Sequence, residues 1–508
     1  MGPRGRQLAL LTLGALLLVV APTAGGKRAE TVVNVTVTRA SCAVSPQSFV
    51  AGAVVVRVVN RSVRAATFFV AGRRVDVAPG RAGRLAVSLR TGRVAYSCTV
   101  GRRRVGGGLL RVTAPSVPPP QHQIAVRSAD GKGEFYNALM GKRFVPRGAN
   151  YIRIASQQRP SGELFTYHST FNTGAYDPAR AEDALREMAA NGYNVVRVFL
   201  NGLCAKACLG DAATRSLSDR YLENVVDFLR RAKANGLVVI LTHDFVPAET
   251  RYEDLLNAVP RSEIDNVNIN FLTDGGVRAN AEFWRDLAAA LIRLKAPADA
   301  IFAYEMNNEA AFVSDALPFT RSTSKVTTAN GHTYDLGVAT DRQRMIDENL
   351  VSYVDRVRAA VRQVDPTALV TIGFFEPQEP NPTRIGDVRI IRTEAVIDHS
   401  SADFVDLHAY PGGALTLAQY AQNFGIDGSE TKPVIMGEFG AFKPTYSSPE
   451  AAASTLAAWQ RESCAYGVDG WLLWTWDSAE QPELWNALSG GGAIEHALAP
   501  TLHPDPCR

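Results

Sequence analysis

Beyond one run near its start, the sequence lacks long apolar stretches of the kind that cross a membrane as a helix. That run, residues 8–20, follows Arg4 and Arg6 and is followed by small residues up to about Gly26. A run of thirteen residues is short for a membrane span, so residues 1–26 are interpreted as a secretory signal peptide, with an uncleaved anchor as the alternative. We therefore expect a secreted, extracellular protein without a membrane span.

Cysteine is scarce, and the six cysteines lack the arrangement of a zinc site. Cys204 and Cys208 lie four residues apart, but no second cysteine or histidine pair lies near them, which makes zinc the weaker interpretation. An even number of cysteines fits an oxidising compartment. Of the fifteen possible pairings, grouping by segment favours Cys42–Cys98, Cys204–Cys208 and Cys464–Cys507.

Acidic residues are almost absent from residues 27–120, which hold two carboxylates against sixteen lysines and arginines. This segment has a formal charge of +14, whereas the whole chain has +4, so the remainder is acidic. Two interpretations stay open. The basic surface is either solvated or docked on the acidic part of the chain, or it attaches the protein to an anionic glycan, since clustered arginine concentrates polyanions. Nucleic acid is not an expected partner of an exported protein.

Residues 31–113 alternate short β-rich runs with glycine-bearing turns, which indicates a small all-β sandwich in a domain assigned to residues 27–113. The order of Cys42, Pro79-Gly80 and Tyr96-Ser97-Cys98 resembles the cupredoxin-like domains of exported bacterial proteins. Copper proteins of that fold need two histidines and usually a methionine beside the cysteine. The segment contains neither residue type, which excludes blue-copper chemistry. The proline-rich residues 114–123 predict a stiff linker.

From Ile124 onward strand-like and helix-like segments alternate, and no glycine-rich phosphate loop follows the first strand. The missing loop disfavours a doubly wound sheet. Eight strands in about 380 residues indicate an α/β protein with a (β/α)8 TIM barrel over residues 124–508, whose active site lies at the C-terminal ends of the strands. The strands are predicted at 144–151, 195–200, 237–243, 301–306, 369–375, 404–408, 434–437 and 471–474.

Two of these strands run directly into carboxylates. The strand that begins at Ile301 is followed by Asn308 and Glu309, and the strand that begins at Val434 is followed by Glu438. The two glutamates are far apart in sequence, but a parallel barrel brings its strand ends together, so we expect them to form a pair. The other strand ends offer Arg197, His243, His408, Tyr410 and Trp474.

In this order and with these partners, residues 144–476 resemble a glycoside hydrolase of clan A, nearest to family 5, the cellulase and mannanase group. The resemblance implies that Glu309 is the general acid/base and Glu438 the nucleophile of a retaining enzyme that needs neither metal nor organic cofactor. It also implies a carbohydrate substrate and a cis peptide bond after the last strand, at Trp474–Thr475. The implied substrate-binding residues are Asn308 at the sugar 2-hydroxyl, Arg197 and Tyr410 beside Glu438, His408 and His243 along the sugar, and Trp474 beneath its ring.

Elementary electrostatics supports these roles. Retaining hydrolysis needs one protonated and one ionised carboxyl group roughly 5 Å apart. The cation of Arg197 and the hydroxyl of Tyr410 favour charge on Glu438, while desolvation and the nearby negative charge keep a proton on Glu309.

A departure from the family pattern is Ala310, where proline is usual; it leaves the two carboxylates intact.

The sequence leaves the substrate open. We expect a monomer that cleaves a polysaccharide of the β-mannan or β-glucan type. The alternatives are an exo-acting β-glycosidase on oligosaccharides or glycolipids, and an inactive barrel that binds carbohydrate.

Overall fold

Two units make up the chain, Met1–Pro118 and Pro119–Arg508. A computed structural model describes residues 31–113, 121–377, 389–390 and 393–507. The predicted signal peptide and most of the predicted linker lie outside these residues. In the described part of the chain, no helix combines the length and the apolar character that a membrane crossing requires.

The N-terminal unit consists of two sheets, whose strands alternate between buried and more exposed residues. In the first strand Val33, Val35 and Val37 are buried while the residues between them are more exposed. The sheets have the strand orders β2-β1-β4-β7 and β3-β9-β8-β5-β6, and their inward residues share one hydrophobic cluster. The disulfide Cys42–Cys98 joins β2 to β8. The strands are β1 (Thr31–Val37), β2 (Cys42–Ser45), β3 (Ser48–Val50), β4 (Gly52–Asn60), β5 (Ala66–Val70), β6 (Arg73–Val77), β7 (Ala82–Leu89), β8 (Gly92–Val100) and β9 (Arg103–Thr113).

Parallel strands close a barrel in the second unit. They are β12 (Arg147–Asn150), β15 (Val195–Phe199), β18 (Val238–Thr242), β19 (Ile301–Glu305), β23 (Leu369–Thr371), β24 (Gly373–Phe374), β26 (Val405–His408), β27 (Val434–Phe439) and β29 (Val468–Leu473). The sheet order is β23-β19-β18-β15-β12-β29-β27-β26-β24. Because only Ile372 separates β23 from β24, the two ends of this order are one interrupted strand. The predicted (β/α)8 barrel is thus confirmed.

Helices surround the barrel, and the first of them begins at a side-chain cap. Asp177 accepts hydrogen bonds from the backbone N–H groups of Ala179 and Arg180, and Pro178 occupies the first turn. The helices are α1 (Pro178–Ala190), α2 (Asp219–Ala234), α3 (Arg251–Asn257), α4 (Asn268–Leu272), α5 (Asp274–Arg293), α6 (Ala339–Arg362), α7 (Thr393–His399), α8 (Leu417–Phe424), α9 (Pro449–Ser463) and α10 (Ser489–Leu498).

Short strands lie in the connections. They are β10 (Ile124–Ala129), β11 (Lys132–Asn137), β13 (Ile154–Gln158), β14 (Leu164–His168), β16 (Gly210–Asp211), β17 (Ser216–Leu217), β20 (Phe312–Val313), β21 (Lys325–Thr327), β22 (Thr333–Asp335), β25 (Arg389–Ile390), β28 (Ala441–Phe442) and β30 (Leu484–Trp485). The disulfides Cys204–Cys208 and Cys464–Cys507 complete the three pairs that grouping by segment predicts.

The hairpin of β10 and β11 closes one end of the barrel interior. Its buried Phe135 contacts Phe302 and Phe404 of the barrel strands, with ring centroids 5.2 and 5.0 Å apart. Ile124 joins the same apolar cluster. Apolar packing therefore fills the N-terminal end of the barrel, and the polar side chains of the strand ends gather at the opposite end.

Candidate active site

The C-terminal strand ends enclose a cavity of about 510 Å³. Six of the eight predicted site residues line it: Asn308, Glu309, His408, Tyr410, Glu438 and Trp474. A cavity of about 550 Å³ lies elsewhere, beside the ion pairs Arg293–Asp219 and Arg251–Asp286. None of the predicted site residues lines that second cavity, so the chemistry belongs to the barrel end.

Arg197 lies beneath this cavity, fully buried, and all five of its N–H groups are hydrogen-bonded. Its Nε and Nη2 donate to the two carboxylate oxygens of Glu305 at 2.9 and 2.6 Å. Nη1 donates to Oδ1 of Asn150 at 2.9 Å and to Oε1 of Glu438 at 2.7 Å. Nη2 also donates to Oδ1 of Asn308 at 2.6 Å. One guanidinium therefore orients a glutamate and an amide of the cavity wall.

The predicted nucleophile, Glu438, is bonded through both of its oxygens. Oε1 accepts from Arg197, and Oε2 accepts from the Tyr410 hydroxyl at 2.6 Å. Burial raises the pKa of Glu438 above its ordinary value, although Arg197 and the hydrogen bond from Tyr410 act in the opposite direction. These two residues thus favour the charged form as expected, but desolvation outweighs them. The pKa of Tyr410 is itself raised well above its ordinary value by burial and by Glu438, so its hydroxyl stays protonated and donates.

The predicted acid/base, Glu309, is more exposed, with 26% of its side chain accessible against 5% for Glu438. Its Oε1 lies 3.1 Å from Nδ1 of His408. Burial lowers the pKa of His408 to about 4, so its ring is neutral at neutral pH. One carboxylate oxygen of Glu309 and one of Glu438 lie within 4.8 Å of each other. The two glutamates are therefore neighbours with different environments.

Glu309 also lines a smaller cavity, of about 270 Å³, which we call the side cavity. The barrel-end cavity and the side cavity thus meet at this carboxyl group. The Tyr167 hydroxyl donates to Asp244, another residue of the side cavity. The remaining lining residues include Phe245, Asn270, Asn307 and Val313.

His243 does not line the barrel-end cavity, which corrects the prediction that it lies along the sugar. Thr242, the residue before it, donates to Oε1 of Glu305 inside the barrel at 3.1 Å. Successive side chains of a strand point to opposite faces, so the His243 ring points to the helix layer and packs on Phe283 and Trp284. Its backbone oxygen accepts from the N–H of Asn308 at 2.9 Å. His243 therefore supports the active-site loop from the core.

Residues that the sequence analysis missed complete the cavity wall. Phe199 lies two residues after Arg197, at the end of β15, where the strand-end rule could have found it. His168 comes from β14, in a connection whose position no strand pattern predicts. Trp474 packs edge-on against both rings, with centroids 5.7 Å from Phe199 and 6.2 Å from His168. The Trp474–Thr475 peptide bond is cis, as the resemblance implies.

Two groups of side chains have the spacing of metal ligands, with ligand atoms within 4.8 Å of one another. The Arg197 guanidinium contacts carboxylates of both groups, at 2.6 Å from Glu305, 2.7 Å from Glu438 and 3.7 Å from Asp406. This fixed cation already supplies the positive charge that a metal would bring. We therefore assign neither group to a metal. The groups are Glu305, Asp406 and His408, and Glu309, His408 and Glu438.

Asp406 supports the strand that carries Glu438. Its Oδ1 accepts from the backbone N–H of Gly437 at 2.7 Å. A Cβ at position 437 would collide with the Asp406 carboxyl group, so glycine is required there. Burial and the neighbouring Glu305 raise the pKa of Asp406 well above its ordinary value, so the folded protein favours the protonated form of this carboxyl group.

We expect Asp406→Asn to unfold at pH 7 with a free energy at least equal to that of wild type. The unfolded chain ionises this carboxyl near its ordinary pKa, so wild type loses stability as pH rises above that value, and a neutral amide removes the loss. Asp406→Ala should cost about 1–3 kcal/mol, because the Gly437 N–H loses its acceptor. Urea unfolding of the three proteins at pH 5 and 7 measures both effects. Equal destabilisation by Asn and Ala would contradict a neutral Asp406.

A model of the cellulase family, glycosyl hydrolase family 5, matches residues 159–480. Among solved structures, an exo-β-1,4-mannosidase from Opitutaceae bacterium strain TAV5 is 19% identical with a TM-score of 0.47, over 73% of this chain and 61% of the mannosidase. An endo-1,4-β-mannanase from Rhizomucor miehei is 15% identical with a TM-score of 0.48, over 75% of this chain and 100% of its own. A β-mannanase from the blue mussel Mytilus edulis is 14% identical with a TM-score of 0.43, over 74% and 96% of the two chains. No curated protein matches the chain.

Proposed function

The chain belongs to glycosyl hydrolase family 5 and is a glycoside hydrolase, and on this premise we propose that it cleaves a polysaccharide of the β-mannan or β-glucan type with retention of configuration. The observation that carries the proposal is the approach of Glu309 and Glu438 to within 4.8 Å in one cavity. Retaining enzymes hold their carboxyl groups about 5–5.5 Å apart, whereas inverting enzymes need about 6.5–9.5 Å to admit a water. The spacing therefore supports a covalent intermediate.

The first step forms that intermediate. A carboxylate oxygen of Glu438 attacks the anomeric carbon while Glu309 gives its proton to the glycosidic oxygen, and the bond from the anomeric carbon to the leaving group breaks. In the second step Glu309, now a carboxylate, takes a proton from water. The resulting hydroxide equivalent attacks the anomeric carbon and Glu438 departs as a carboxylate. Arg197 and Tyr410 stabilise the charge on Glu438 before and after the cycle.

Two further residues would hold the sugar in the cavity. The side-chain oxygen of Asn308 accepts from Arg197, so its NH₂ group is the part that can donate to a sugar hydroxyl. Trp474 offers an aromatic surface to the apolar C–H face of a pyranose ring. These contacts would orient the anomeric carbon towards Glu438.

The side cavity would receive the leaving group, because Glu309 protonates the oxygen on that side. Phe245, 41% exposed, is the more accessible of the two phenylalanines that line this cavity. We expect Phe245→Ala to lower kcat/KM on a polymeric substrate about three- to tenfold, since it removes a sugar-stacking surface. Hydrolysis of an aryl β-glycoside should change less than about twofold. Equal losses on both substrates would contradict a leaving-group site at Phe245.

The pH dependence of kcat/KM should report the ionisation of Glu438. This group must be ionised to attack, so kcat/KM should fall as the pH falls through its pKa, which burial places above the ordinary glutamate value. The hydrogen bond from Tyr410 lowers that pKa, so Tyr410→Phe should move the acidic limb to higher pH. Tyr446→Phe is the control, because its hydroxyl makes no contact with Glu438 among the described residues. An unmoved acidic limb in Tyr410→Phe would be evidence against this role of Tyr410.

One assay tests the proposed substrate against the alternative substrates and against an inactive barrel. Wild type and Glu438→Gln should be compared on a panel of β-mannan, β-glucan, oligosaccharides, glycolipids and aryl β-glycosides. Turnover by wild type alone supports the enzyme, and its chain-length dependence separates endo from exo action. Equal, negligible turnover by both proteins on every substrate would favour a carbohydrate-binding scaffold.

We also propose that the protein acts outside the cell. The charged and apolar pattern of residues 1–26 supports export, and so do the three disulfides, which persist in oxidising compartments. Amino-terminal sequencing of protein from the culture medium should find a chain that begins near Gly26. Retention of Met1 in a cell-bound protein would instead indicate an uncleaved anchor.

A further inference from the structure

The N-terminal unit has far more cations than internal partners for them. Residues 31–113 contain fourteen arginines, no lysine and one carboxylate, Asp76. Asp76 accepts from the Thr67 hydroxyl at 2.5 Å and lies 3.6 Å from Arg74. A single carboxylate cannot neutralise fourteen guanidinium groups, so residues 31–113 carry a large net positive charge.

Strand alternation collects several of these arginines on one surface. In β8 the buried residues Tyr96, Cys98 and Val100 face the core, so Arg93 and the other odd-numbered positions face outwards. Register then places Arg111 directly opposite Arg93, Arg104 opposite Thr99, and Phe69 opposite Ser97. We define the arginine face by six outward residues of this five-stranded sheet: Phe69, Arg74, Arg93, Arg104, Leu109 and Arg111. Asp76, the ion-pair partner of Arg74, lies on the same face.

Arg93 and Arg111 form a like-charged pair across two strands. Such pairs sit about 5 Å apart at their Cβ atoms and destabilise a sheet. Among the described residues, neither arginine forms an ion pair with a carboxylate. The sheet thus tolerates a repulsion that a bound anion would turn into attraction.

The rest of the face extends along the strands. Arg104 lies across Gly107, where a Cβ would come within 2.6 Å of its Nη2, so this small residue makes room for the guanidinium. Six residues of β8 separate the level of Arg93 from that of Arg104, which is about 20 Å along the strand. Leu109, 53% exposed, lies opposite Ala95 of β8, and Phe69, 37% exposed, lies opposite Ser97. Both are therefore between the two levels.

We propose that the arginine face binds an acidic polysaccharide, a glycan whose sugars carry carboxylates. Guanidinium groups bind carboxylates through two parallel hydrogen bonds. Cations separated by about 20 Å with apolar surface between them suit an extended polymer, whose charged groups meet the arginines while its C–H faces contact Leu109 and Phe69. Attachment of this kind holds the catalytic unit in a glycan matrix and raises its effective concentration near the substrate.

The test uses the whole chain and immobilised polygalacturonate at low salt. Arg93→Gln/Arg111→Gln should weaken binding about tenfold, and wild-type binding should weaken as salt rises. The control is Arg57→Gln/Arg84→Gln, a cross-strand pair on the outer face of the other sheet, which removes the same charge and should change binding less than about twofold. Thermal unfolding of both variants should show that each is folded at the temperature of the binding assay.

The outcomes separate the alternatives. Equal losses in the two variants would mean that net charge alone attracts the polymer, and absent or salt-independent binding by wild type would overturn the proposal outright. Equally tight binding to a double-stranded DNA fragment or to anionic phospholipid vesicles would overturn the assignment to a glycan. Turnover of a small aryl β-glycoside should stay unchanged in both variants, which keeps this result independent of the proposed catalytic function.

Discussion

Glu438→Gly is expected to reduce turnover by about four orders of magnitude or more, and added azide should restore it. The variant lacks the group that attacks the anomeric carbon, which reactions of this type require. Azide fits the space of the lost carboxylate and attacks the same face of the sugar. The product should therefore be a glycosyl azide of inverted, α configuration, which NMR of the product identifies.

Glu309→Gly is the matched comparison, because it removes the other carboxylate of the pair. Its first step should survive best on substrates such as dinitrophenyl β-glycosides, whose leaving group needs no proton. Azide should then attack the covalent intermediate on Glu438 and give a product of retained, β configuration. An exchange of the two stereochemical outcomes would mean that the acid/base and the nucleophile are assigned the wrong way round.

Arg197→Met is expected to destabilise the protein far more than the loss of a surface arginine does. It leaves the buried carboxylates of Glu305 and Glu438 without their cation, and breaking a buried ion pair in this way costs about 3–5 kcal/mol. Activity should be lost with it, because a Glu438 without Arg197 is harder to ionise.

Two variants make the Arg197 result interpretable. Arg344→Met, at a surface ion pair with Asp341 and Glu348, should cost less than about 1 kcal/mol in the same urea unfolding measurement. Arg197→Lys keeps the charge but offers three donors in place of five, so it should fold with an intermediate loss of stability. A loss for Arg197→Met no larger than that for Arg344→Met would contradict the central role of this guanidinium.

The barrel and most of its site could be predicted because both follow from local patterns. Each barrel strand is an apolar run, and a polar residue at its end must lie at the common rim once the strands are parallel. This rule places Asn308, Glu309 and Glu438 together although they come from different parts of the chain. It depends on strand order alone and needs no knowledge of the loops.

The remaining features depend on three-dimensional packing. His243 ends a strand as predicted, but its ring faces the helix layer. The apolar pattern does not determine to which side of the sheet a residue just beyond a strand points. His168 reaches the cavity from a hairpin in a connection. The pKa of Glu438 rises because burial exceeds the effect of its partners, and burial of a side chain at a rim cannot be judged before the rim is assembled.

The first anomer released by the wild-type enzyme tests the central claim most directly. An aryl β-glycoside is mixed with the enzyme, and proton NMR of the anomeric region follows the product before mutarotation equilibrates it. Double displacement through Glu438 predicts that the β-anomer appears first and that the α-anomer grows only later. If the α-anomer appears first, the reaction inverts, and Glu438 is not the nucleophile of a covalent intermediate.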